Sequence, residues 1–141
     1  MTKKLKLVRQ PENSFCCGQC CVATLCGVTM LEAADAMGKS GLTNKYHLVT
    51  GLLAFGVDCG DTLLRGMPEA DETAIIKFMF VDYVKELGQV KAQALHLDGP
   101  RRSHWVVWHN NKFYDPAAGV FRKKPDYLTK CNFVSHLKVY V

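Results

Sequence analysis

The feature that most restricts what this chain can fold into is the run Cys16-Cys17-Gly18-Gln19-Cys20-Cys21-Val22-Ala23-Thr24-Leu25, a short apolar stretch closed by Cys26-Gly27. Pro11-Glu12-Asn13-Ser14 ahead of it reads as a turn, with Asn13 or Ser14 able to cap the backbone that follows. The product expected is a buried helix carrying Cys17 in its first turn. The chain has seven cysteines, an odd number, and Cys16, Cys17, Cys20, Cys21 and Cys26 crowd into eleven positions. Cysteines adjacent in sequence on a short helix pair poorly with each other, and only Cys59 and Cys131 remain as distant partners. The pattern suits a reducing compartment better than a disulfide scaffold.

Further along, Thr29 and Glu32 have the spacing of a capping box, and the following residues to Met37 are helix formers, stopped by Gly38 and Gly41. A third helix is expected from Thr43 or Asn44, with Leu48, Leu52 and Phe55 on one face and Gly56 at its end. Residues 57–64 read as a short extended segment and residues 67–71 as a turn. Ile75, Ile76, Met79, Phe80, Tyr83, Val84 and Leu87 recur at helical intervals before Gly88, which predicts a fourth helix.

The period then shortens. Residues 90–97 alternate, 98–100 turn the chain, His104 to His109 reads as a strand, Asn110-Asn111 as a tight turn, and Lys112-Phe113-Tyr114 as the hairpin partner. Residues 133–141 supply a last strand. Helices first and an antiparallel sheet second make an α+β layout, and 141 residues suit one domain spanning 1–141.

A hydrophobic fraction of 48% and a charged fraction of 22% are those of an ordinary soluble globule. The net charge of +5 is carried in part by Lys3, Lys4, Lys6 and Arg9 and in part by Arg122, Lys123 and Lys124. Such runs usually form a solvated face, and nothing accompanies them that would mark a nucleic-acid partner. No apolar segment approaches the ~20 residues of a membrane span, and the basic start runs into Gln10-Pro11-Glu12 rather than a signal core. The expectation is a cytoplasmic protein that engages neither membrane nor nucleic acid.

A thiol in the first turn of a helix gains thiolate character from free backbone donors and the positive end of the dipole. Cys17 has that place, and Gly18 lets a substrate approach the backbone. A cysteine hydrolase further needs an imidazole within hydrogen-bond reach and a group to orient it. His104, at the entry to a strand, supplies the ring, and Asp115, ahead of Pro116, the orienter.

On Gln10, the run from Cys17 to Leu25, His104-Trp105-Val106-Val107 and Tyr114-Asp115-Pro116, the sequence resembles papain-like peptidases of the bacteriocin-processing (C39) type and their small relatives. The resemblance implies a papain-like fold with helices packed on an antiparallel sheet. It assigns the nucleophile to Cys17, the base to His104, the orienting carboxylate to Asp115 and an oxyanion-hole amide to Gln10. The family usually shows six positions from glutamine to cysteine; Gln10 to Cys17 is seven and Gln10 to Cys16 six, so either the connecting loop carries an extra residue or Cys16 is the nucleophile.

The expected activity is a cysteine peptidase or amidase that acts on a peptide or protein through a thioester and needs no cofactor or metal. Acyl transfer to an amine, as in a transglutaminase, would use the same groups. Two other classes compete: an inactive peptide-binding domain, and a structural zinc or redox protein built on Cys17-x-x-Cys20, for which a second close ligand pair is missing.

Overall fold

A computed structural model describes residues 4–81, 101–125, 131 and 133–141. Among the described residues three helices come first: α1 (Cys17–Cys26), α2 (Met30–Met37) and α3 (Lys45–Ala54). Seven described strands follow: β1 (Asp58–Cys59), β2 (Leu64–Arg65), β3 (Thr73–Val81), β4 (Arg101–His109), β5 (Lys112–Asp115), β6 (Gly119–Phe121) and β7 (Phe133–Tyr140). They form one sheet in the order β1-β7-β3-β4-β5-β6, with β2 also paired to β7, and each pairing is antiparallel. The chain is thus an α+β fold, N-terminal helices against a C-terminal antiparallel sheet.

All residues of α1 from Cys17 to Leu25 are buried. A helix that is apolar on every side belongs in the interior, and α1 lies between the sheet and the other two helices. Gly27 ends it in the left-handed conformation, φ 69°, with its N–H on Ala23 O. The capping box of α2 is complete: Glu32 N–H donates to Thr29 Oγ1 at 3.1 Å and Thr29 N–H to Glu32 Oε1 at 3.2 Å. Asn44 caps α3, its Oδ1 accepting from Tyr46 and His47 N–H.

Two clusters sandwich the sheet. Val22, Leu25, Leu48, Leu52, Ile75, Trp105, Val107 and Leu137 belong to the helix side, and Ile76, Phe78, Val106, Trp108 and Phe113 to the other. Trp105 and Trp108 point to opposite faces, and both are buried; the indole N–H of Trp108 donates to Glu69 O at 2.9 Å. The β4–β5 turn forms at Asn110-Asn111 with φ 52° and 59°, the paired left-handed conformation of a type I′ hairpin, which asparagine tolerates better than other side chains.

Two expectations need correction. Residues 75–81 are not helical: they lie in β3, a central strand flanked by β4 and β7. A strand buried on both faces is apolar at nearly every position, and such a run also satisfies helical spacing. The rest of the expected fourth helix, 82–87, and the alternating segment with its turn, 90–100, lie outside the described residues. Nor do Asn13 or Ser14 cap α1. Its N-cap is Cys16, with no side-chain cap bond; Asn13 takes a left-handed φ of 57° and Ser14 Oγ donates to Pro11 O at 2.6 Å. Both are spent on shaping the turn.

Candidate active site

Cys17 is the first residue of α1, 7% exposed. The first N–H groups of any helix have no partner within it, and Cys16 contributes no side-chain cap. The helix start thus keeps donors directed at its own N-terminal end.

The other two groups come from the sheet. His104 sits in β4 and Asp115 ends β5, buried and next to the hairpin partner's register of Val107 with Tyr114. His104 Nε2 donates to Asp115 Oδ1 at 2.7 Å. His104 also shares a hydrogen bond with Cys17. The three residues form a row, carboxylate to imidazole to thiol, assembled from the packing of α1 against β4.

Asp115 is held from both sides. Its Oδ1 also accepts the N–H of Ala117 at 2.9 Å, and its carbonyl accepts from Ala118 N–H at 3.1 Å. A turn-forming Asp-Pro and an imidazole-orienting carboxylate are here one residue in one conformation. Burial alone would disfavour a charged His104 ring. The Asp115 charge and hydrogen bond, followed by those of Cys17, outweigh it, and the His104 pKa is pushed up to about 10.

Gln10 is anchored beside the Asp115 turn: its N–H donates to Pro116 O at 3.0 Å. Its side-chain Nε2 donates to Ser14 O at 3.1 Å, which occupies one of its two N–H groups, and its Oε1 is buried with no partner. Arg9 Nη2 reinforces the same junction by donating to Ala117 O. The segment from Gln10 to Cys17 is therefore tied to the β5–β6 turn at one end and to α1 at the other.

The remaining cysteines of the run differ from Cys17 in environment. Burial, then the neighbouring Cys16 and Cys17, push Cys20 up to about 12; burial, then Cys17, Cys20 and Asp115, push Cys21 well above the ordinary thiol range. Both are held as thiols. All seven cysteines lie among the described residues and none is in a disulfide. Among the described residues no three His, Cys, Asp or Glu side chains converge as metal ligands.

Two residues escaped the sequence reading. Gln19, fully buried in α1, donates through Nε2 to Lys39 O at 2.8 Å and to Gly41 O at 2.9 Å. Those bonds dock the α2–α3 loop on the start of α1, where Thr43 lies directly against Gly18. A lone amide in an apolar helix was the available signal for Gln19; none existed for Thr43. A groove of about 570 Å³ lies elsewhere, lined by Leu5, Leu7, Val8, Val28 and Met30, and includes none of the candidate catalytic residues. No single helix among the described residues is long and apolar enough to cross a membrane. No family model, no curated protein and no solved structure matches this chain.

Proposed function

We propose that this chain is a papain-like cysteine hydrolase that cleaves a peptide or amide bond, with Cys17 as nucleophile, His104 as base and then acid, and Asp115 as orienter. The observation that carries the reading is the hydrogen-bonded row from Asp115 through His104 to Cys17 at an uncapped helix start. Cys16 is the N-cap rather than the first helical residue, and the hydrogen bond of His104 is with Cys17. Both points favour Cys17.

In the reaction the Cys17 thiolate attacks the carbonyl carbon, and the oxygen gathers negative charge beside the Cys17 N–H and the free hydrogen of Gln10 Nε2. His104 gives its proton to the leaving amine as the thioester forms. Water, deprotonated by His104, then releases the acyl group. Asp115 stays ionised throughout and keeps the ring in place.

The reading is tested with a vinyl-sulfone or haloacetamide probe and mass-spectrometric mapping. Labelling is expected at Cys17 far ahead of Cys20 and Cys21, and His104→Ala should slow it by about 10²-fold or more. Uniform labelling along the run, or a rate indifferent to His104→Ala, rejects it.

A further inference from the structure

We propose that a hydroperoxide converts Cys17 and Cys20 into a reversible, inactivating disulfide, which makes Cys20 the resolving thiol of this site. The inference rests on the reading of Cys17 as a reactive thiol and adds to it a modification site that hydrolysis does not use.

The geometry is that of a helix start. Cys17 and Cys20 hold the first and fourth positions of α1. At ~1.5 Å rise and ~3.6 residues per turn their Cα atoms lie about 5 Å apart, inside the ~4.4–6.8 Å that a disulfide spans. Helical Cα–Cβ bonds tilt toward the N-terminus, so Cys20 Sγ leans over the turn that carries Cys17. Cys20 is fully buried and Cys17 keeps 7% exposure, so a small oxidant reaches Cys17 ahead of Cys20.

Cys16 adjoins Cys17 in sequence, and a ring through one peptide bond is strained. Cys21, four positions on in α1, is farther, its Cα about 6 Å away by helix geometry, and the mapped link separates it from Cys20.

The chemistry balances in two steps. The Cys17 thiolate attacks the peroxide O–O bond, giving a sulfenic acid and an alkoxide or hydroxide that takes the proton of His104; sulfur loses two electrons and the peroxide gains them. The Cys20 sulfur then displaces the sulfenic hydroxyl, the S–S bond forms, and the hydroxyl leaves as water with the Cys20 proton. The disulfide halts oxidation before the sulfinic stage, and a thiol reductant returns the nucleophile.

The test uses the reduced, full chain exposed to hydrogen peroxide, alkylated, and mapped by fragment ions within the tryptic peptide 10–39, which holds all five clustered cysteines. The expected product is lighter by about 2 Da and linked from Cys17 to Cys20, with Cys17 labelling lowered about tenfold and restored by dithiothreitol. Cys20→Ala should label at Cys17 like the wild type when reduced, but after peroxide should proceed to the sulfinic acid and fail to recover. A link from Cys17 to Cys16 or Cys21, no link at all, or undiminished recovery in Cys20→Ala overturns the proposal; the wild-type map decides even if the variant folds poorly. Failure of reduced Cys17 to take a probe rejects the hydrolase reading instead, and the disulfide map stands apart from that result.

Discussion

His104 has its proton held on until pH values near 10, and the largest force sustaining it is the Asp115 carboxylate. Replacing that carboxylate with an amide separates two roles. In Asp115→Asn the ring loses its charge partner, so the alkaline limb of hydrolysis is expected to fall from about 10 toward the ordinary histidine range, with kcat/KM lower by about 10²–10⁴-fold. A pH–rate profile of both proteins measures it, and an unmoved alkaline limb would contradict the assignment. Labelling by an alkylating probe should not share the alkaline fall, because it needs the thiolate and no leaving-group proton. Cys17 and Asp115 carry local marks in the sequence, a Cys-Gly helix start and an Asp-Pro turn, whereas His104 was expected at a strand entry and lies in the fourth position of β4. Gln19 and Thr43 carry no such mark, because their partners lie twenty or more positions away in the chain and only packing brings them together.

At the level of the element, the start of α1 is shaped as much by what lies over it as by its own sequence. A Cβ at Gly18 would collide with Thr43 Oγ1 and come within 3.2 Å of Leu48 Cδ2. Gly18→Ala is expected to cost about 1–3 kcal/mol in a denaturant melt. Adding Thr43→Ala should recover part of it, and strict additivity of the two changes would show that the contact is not the cause. Thr29→Ala removes half of the α2 capping box and should cost about 1 kcal/mol, read as a lowered Tm. The helices and the Asn110-Asn111 hairpin were legible because glycine, asparagine and capping residues punctuate them. β3 was not, since a run such as Ala74-Ile75-Ile76, fully buried, meets the demands of a central strand and of a helix alike. Only its two neighbours in the sheet decide between them.

For the whole molecule, stability carries a pH signature. His104 has a folded pKa of about 10 against an ordinary 6.5, so its contribution is full below 6.5 and is lost as pH rises toward 10. Cys20 and Cys21, raised from 9.0, add a fall of the same sign above 9, where the unfolded thiols ionise and the folded ones do not. Denaturant midpoints should therefore decline from pH 6.5 upward, and Asp115→Asn should flatten the stretch below 9 while leaving the thiol part; a flat wild-type curve between 6.5 and 9 would refute the coupling. The α+β order of helices before sheet was legible across the chain from the change of period, whereas the strand order was not, because pairing partners leave no mark on composition. That order has a temporal side. β7 follows every other described strand in the chain, yet it lies inside the sheet, between β1 and β3, and also pairs with β2. During synthesis β3 must wait with one long edge open until residues 133–140 emerge, so the sheet supporting His104 and Asp115 closes late. A nascent chain of this protein therefore carries Cys17 long before the sheet that holds His104 and Asp115 is finished.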